Sequence, residues 1–354
     1  MKILVYGAGV VGSLYAGMLK EAGHQVTILA RGQRLEEIRQ HGIVLEDALT
    51  SHRMCTRVDV IEELKPDEPY DLVMVIMRKN QVAEILPVLA ANHYTPNVLF
   101  MVNNAAGPDA WIAALGTERV MLGFPSAGGT REGHVVRYII ASAKEQSTSI
   151  GELHGEITPR LKSVAGALVA AGFSVTIREN MDAWLKTHAA LVSPVANAIY
   201  MAGGDIYRLT RTRDALVLLV RAVKEGFHVL QELSIPITPA KFKQLLWIPE
   251  PVLVAFLKKA FNNERAELAL QQHANAARDE MKQLADEFQA LARLTSLPTP
   301  AIDQLYAYVD TERPPAPEGS ANLRLDWRGL LVPLAALIGL LVGVLTLRRG
   351  HKRG

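Results

Sequence analysis

The chain has 354 residues, 38 Lys and Arg against 36 Asp and Glu, a single cysteine (Cys55), and a mean hydropathy of +0.12. At roughly 150 residues per domain it is long enough for about two domains. One cysteine excludes an internal disulfide and any CxxC metal or redox pair, and a net charge of +2 without a basic stripe excludes nucleic acid as a partner. The opening run MKILVYGAGVVG enters a strand at once and leaves no room for an export signal. Ile3 to Tyr6 reads as a buried strand, Val10 to Ala22 as a small-residue helix and Gln25 to Leu29 as a second strand. A polar helix near Arg34 to Gln40, a strand at Leu72 to Met77, a helix from Gln81 to Ala90 and a strand at Val98 to Val102 continue the alternation. That order predicts a parallel sheet covered on both faces.

From about Val120 to Gly151 short strand-like pieces read as a β-extension closing that sheet. Thr158 to Ala171 and SVTIRE then supply one last helix and strand. Beyond Asn180 the pattern is helical: Asp182 to Met201, Asp214 to Leu233, Pro251 to Asn262, a long helix from Glu264 to Leu294, and Ala301 to Val309. The expected division is an α/β Rossmann-type domain over 1–179, an all-helical substrate and dimerisation domain over 180–310, and a Pro-rich linker over 311–328 whose composition does not pack. Residues 329–347, GLLVPLAALIGLLVGVLTL, carry no charge and reach about 28 Å as a helix, the thickness of a bilayer core. They predict a single transmembrane helix, flanked by Trp327 and by the basic tail 348–354. The tail's Arg348, Arg349, Lys352 and Arg353 pull toward the cytoplasmic side, and so does the folded part, because the cofactor pool lies there. The expected arrangement is a cytoplasmic catalytic domain anchored to the membrane.

Gly7-Ala8-Gly9-Val10-Val11-Gly12 is a GxGxxG placed after a strand and opening a helix. In that context it predicts a dinucleotide site: a tight turn at Gly7, close backbone approach to a pyrophosphate at Gly9, and helix against strand at Gly12. After the second strand the chain has Arg31, and Arg34 further on, where an NAD site would carry an acid. A guanidinium matches a 2′-phosphate, so NADP(H) is the expected cofactor. Cys55, in what reads as a polar loop, has no catalytic surroundings.

The blocks GAGVVGSLYA, ILARGQRLEEIRQHGIVL, DLVMVIMRKNQV, LFMVNNAAG and MDAWLKTHAALVSPVANA resemble, in order and spacing, those of the ketopantoate reductase (2-dehydropantoate 2-reductase) family over roughly residues 1–310. The resemblance implies hydride transfer from NADPH to the ketone of a small-molecule 2-oxo acid, with Lys186 as general acid, Asn104 beside the nicotinamide and Glu280 accepting from substrate hydroxyl. Arg78 stands where the family has a cofactor-binding lysine. Ala190, Pro194 and Leu268 replace two asparagines and a serine of the substrate pocket, with Ser193 and Asn197 the nearest polar substitutes. A homodimer remains open. A second reading is a membrane-tethered NADP-binding sensor or scaffold that has lost catalysis, and a third is the same site run oxidatively on a 2-hydroxy acid.

Overall fold

The structure, a computed structural model, describes residues 1–143 and 146–327; the apolar segment 329–347 and the basic tail lie outside the described residues. Twelve strands occur among these: β1 (Lys2–Tyr6), β2 (Gln25–Leu29), β3 (Ile43–Asp47), β4 (Arg53–Thr56), β5 (Asp59–Ile61), β6 (Leu72–Val75), β7 (Val98–Met101), β8 (Val120–Phe124), β9 (Ala127–Glu132), β10 (Val135–Ile140), β11 (Thr148–Glu152) and β12 (Val175–Ile177). The N-terminal half also holds helices α1 (Val10–Glu21), α2 (Gly32–His41), α3 (Val82–Ala91), α4 (Asp109–Leu115) and α5 (Pro159–Ala170).

The strands form two sheets, not one. The larger runs β12-β11-β8-β7-β6-β1-β2-β5, parallel except where β11 meets β8. The smaller runs β4-β3-β10-β9, so the expected β-extension splits: β11 joins the large sheet while β9 and β10 leave it. Helix α1 is covered on both sides as a result. Leu14, Tyr15 and Leu19 pack with Ile3 and Val26 of one sheet and with Ile43, Leu45 and Val136 of the other. Cys55 lies on β4 rather than in a loop, exposed, with its thiol directed at the His41 carbonyl.

No strand follows β12 among the described residues. Helices α6 (Met181–Met201), α7 (Ile206–Arg211), α8 (Arg213–Glu232), α9 (Glu250–Ala260), α10 (Glu264–Ala266), α11 (Gln272–Ala276), α12 (Arg278–Ala292) and α13 (Pro300–Tyr306) complete the fold. Leu219, Phe227, Leu284, Phe288 and Leu305 from α8, α12 and α13 close a core with α6. The single long helix expected over 264–294 is broken by a π-turn at Glu267–Gln271 and by non-helical backbone at Ala277. The carbonyls of Ala274 and Ala276 accept from Tyr200 (2.6 Å) and Arg78 (2.6 Å), which fixes the chain away from helical continuation there.

Residues 310–327 also depart from expectation, for they are pinned along the helices and do not hang free. Ala316 N–H donates to Met201 (2.9 Å), and Asn322 and Leu323 N–H donate to the buried carboxylate of Asp214 (3.0 and 2.9 Å). Asp326 N–H donates to the buried Glu250, itself paired with Arg221 (2.8 Å). Proline-rich sequence lacks the pattern for a core, yet its main chain is held by buried acids that need donors. None of the described helices is long and apolar enough to cross a membrane.

Candidate functional site

The turn between β1 and α1 shows what each glycine does. Gly7 has φ +122°, and a Cβ there would lie 2.2 Å from the Ile76 carbonyl; a Cβ at Gly12 would lie 1.9 Å from the Gly7 carbonyl. A Cβ at Gly9 would meet nothing within 4 Å. Gly7 and Gly12 are therefore demanded by the fold, whereas the space over Gly9 belongs to a ligand. No side chain caps α1 and no acid stands in its first turn, so the N–H groups of Val10 and Val11 are offered to an anion. Gly9→Ala is accordingly expected to leave thermal stability unchanged and to weaken dinucleotide binding about tenfold, whereas Gly12→Ala lowers Tm; calorimetry with and without dinucleotide separates the two.

Arg34 is turned inward. Its Nε donates to the Ala8 carbonyl (3.1 Å) and its Nη2 to Ser13 (2.9 Å), and it is paired with Glu37 (3.2 Å). It braces the glycine turn from behind. Arg31, exposed at the N-cap of α2, donates to the Glu62 carbonyl (3.4 Å), stands against the Tyr6 hydroxyl, and is the cation at the end of β2.

The second half of the site is the loop after β7, residues 103–107, at the carboxyl edge of the sheet where ligands of open α/β folds bind. Asn104, buried, accepts through Oδ1 from Lys79 Nζ at 2.7 Å. Asn103, also buried, donates through Nδ2 to Glu280 Oε1 at 3.0 Å. An ammonium only donates and a carboxylate only accepts, so both amide orientations are chemically enforced. The remaining atoms, Asn104 Nδ2 and Asn103 Oδ1, are buried without a hydrogen bond. A free donor and a free acceptor on one loop are the groups a primary carboxamide pairs with, and with the open cradle at Gly9 the residues present fit a nicotinamide dinucleotide.

Lys186 reaches the other end of the same loop. A Cβ at Gly107 would lie 3.6 Å from Lys186 Nζ, which is ion-paired with Asp182 one turn earlier on α6. Helix α12 brings Glu287 as well as Glu280: Oε2 accepts from the N–H groups of Ala105 (3.0 Å) and Ala106 (3.2 Å), and Oε1 lies 3.5 Å from Lys79. Lys79 also stands over the Trp111 ring (4.7 Å), and burial lowers its pKa. Loop, β6 end, α6 and α12 thus converge on one polar centre.

Three sequence expectations change here, those for Arg78, Ser193 and Asn197. Arg78, expected at the cofactor, is spent on Asp279 (3.0 Å) and the Ala276 carbonyl, because the turn at 78–79 sends neighbouring side chains apart. Lys79 takes the inward position. Ser193 and Asn197, expected to replace the pocket's asparagines, lie about 10 and 16 Å along α6 from Lys186. They line a crevice with Phe288, Ile302 and Tyr306 instead, and are not brought to the loop. Ala190 is core, since a Cβ at Gly226 of α8 would approach it to 3.2 Å. Lys79, Asn103 and Glu287 were missed, although Glu287 follows Glu280 by seven residues and so shares its helix face. His188, two residues beyond Lys186, stacks on Trp184 and meets Phe124 at a tilt, and burial pushes its pKa down to about 4.

Comparison with known proteins finds similarity in sequence and in fold. Residues 3–155 match the family described as ketopantoate reductase PanE/ApbA. The 2-dehydropantoate 2-reductase of Pyrococcus horikoshii is 26 % identical over 236 residues, covering 65 % of this chain and 73 % of that protein. The enzyme of the same name from Mesorhizobium japonicum is 25 % identical over 340 residues, covering 87 % and 97 %. Among solved structures, a ternary complex of D-mandelate dehydrogenase with NADH and anilino(oxo)acetate superposes with a TM-score of 0.70 at 17 % identity, covering 87 % of this chain and 97 % of that one, and shares the fold. The fold, an α/β part followed by a helical part, is shared with this structure. Over residues 3–155, less than half of its length, the chain is similar to the ketopantoate reductase family.

Proposed function

We propose that the chain is an NADPH-dependent reductase that converts the ketone of a 2-oxo acid to the 2-hydroxy acid. The observation that carries this reading is the loop 103–107, whose two half-satisfied asparagines lie between Glu280 at one end and Lys186 at the other. A bound dinucleotide would supply the hydride. Asn104 Nδ2 and Asn103 Oδ1 would hold its carboxamide, and Gly9, Val10 and Val11 its pyrophosphate. Lys186 gives its proton to the ketone oxygen as that oxygen becomes a hydroxyl; Asp182, a third exposed, links the amine to solvent for reprotonation. Glu280 and Glu287 tie the helical half to the loop, so that closure and alignment are one event.

Arg31 supports NADPH over NADH. Arg31→Ala is expected to weaken NADPH about tenfold and NADH little, read as the ratio of the two dissociation constants. The deciding assay is NADPH oxidation with a panel of 2-oxo acids, from 2-dehydropantoate to aryl and branched alkyl members. Tight NADPH binding with no oxidation by any of them would replace the reductase by the tethered NADP-binding reading. Anchoring through 329–347 is part of the proposal and rests on the uncharged sequence of that segment.

A further inference from the structure

Tyr6, the last residue of β1, is 2 % exposed and lies in the core with Leu29, Leu64 and Val75. Its hydroxyl is buried without a hydrogen bond. A phenylalanine would fill the same volume and leave no orphan oxygen, so packing gives no reason for the hydroxyl. The neighbouring strand supplies one. Tyr6 is in register with Leu29 of β2, and the chain stays extended beyond that residue: Ala30 N–H donates to the Ile61 carbonyl (3.0 Å), and Arg31 has φ −131° and ψ 158°. Alternation along an extended chain returns the Arg31 side chain to the face of Leu29, which is the face that carries Tyr6. There the guanidinium stands against the Tyr6 hydroxyl and donates through Nε to the Glu62 carbonyl (3.4 Å). These two oxygens flank β2 from opposite sides, because β2 lies between β1 and β5 and Glu62 directly follows β5. Neither is a carboxylate, so neither neutralises the cation.

We infer that Tyr6 is a positioning residue for the 2′-phosphate of the dinucleotide: its hydroxyl accepts from Arg31 in the loaded protein and holds the guanidinium at the end of β2. An arginine has five N–H donors and no acceptor, so the contacts to Tyr6 and Glu62 leave enough N–H groups for the two-point contact that a phosphate takes. A guanidinium held beforehand also loses less side-chain freedom when the anion arrives than one that swings in solvent. The inference rests on the assignment of Arg31 to NADPH, and Tyr6 touches the cofactor only through that side chain.

The test measures dissociation constants for NADPH and NADH, and for adenosine 2′,5′-bisphosphate and 5′-AMP, in wild type, Tyr6→Phe, Arg31→Ala and the double variant. Tyr6→Phe keeps the ring and its packing, so Tm is expected to be unchanged. It is expected to raise the constants for the two 2′-phosphorylated ligands about 3- to 10-fold, the worth of one hydrogen bond to a charged group, and to leave those for NADH and 5′-AMP alone. In the Arg31→Ala background the same substitution is expected to change nothing further. Equal weakening of phosphorylated and unphosphorylated ligands, no weakening of either, or a further loss in the double variant overturns the inference; a selective effect of Arg31→Ala alongside any of these leaves the NADPH reading standing. Arg31→Ala without a selective effect overturns both.

Discussion

Lys186→Ala is expected to lower kcat by about 10²- to 10⁴-fold, the contribution of a positioned general acid, with the NADPH dissociation constant nearly unchanged. The ammonium stands over the far end of the loop that carries Asn103 and Asn104, and its one ion pair, to Asp182, is within its own helix. Removing it breaks no link between the two halves of the molecule. Small alkylamines added to the variant are expected to restore part of the rate, because they replace the missing acid without repairing any fold. A variant that turns over at the wild-type rate would remove Lys186 from the chemistry.

Lys79→Met is expected to act on binding. Without the ammonium, Asn104 Oδ1 becomes a buried acceptor with no donor, a cost of about 1–3 kcal/mol, and the amide loses the partner that fixes its orientation. The dinucleotide dissociation constant should therefore rise about 5- to 150-fold, measured by isothermal titration at a temperature where wild type and variant are both folded. A purely structural lysine would lower Tm and leave that constant alone. Since burial lowers the Lys79 pKa, the wild type is also expected to lose dinucleotide affinity at a lower alkaline pH than an exposed lysine would dictate, and Lys79→Met is expected to lack that limb.

The first strand, the glycine turn and the second strand were readable because β-α-β chemistry is local: strand, tight turn and helix start occupy consecutive residues. Asn104, Lys186 and Glu280 came from resemblance, and the structure gathers them around one loop. Sequence could not show that Arg78 and Lys79 part company, since which of two adjacent cations turns inward depends on a helix two hundred residues away. Nor could it show the second sheet, because β3 and β10 pair across ninety residues. Arg34 reads with Arg31 as a cation for a 2′-phosphate, and only the packing of α2 against the glycine turn reveals it as a brace. The break at Ala277 is likewise invisible, because alanine favours helix and the competing partners of its neighbours' carbonyls lie on other elements.

The pinning of residues 310–327 sets the kinematics of the molecule. Every bond of that strap named above ends on the helical half, on α6, α8 or α9, and none on either sheet. A pull on the chain at Trp327 thus loads the helices alone. If the helical and sheet parts shift to admit a dinucleotide, the helical part is the fixed base, and exposed pairs such as Arg78 with Asp279 are cheap to break.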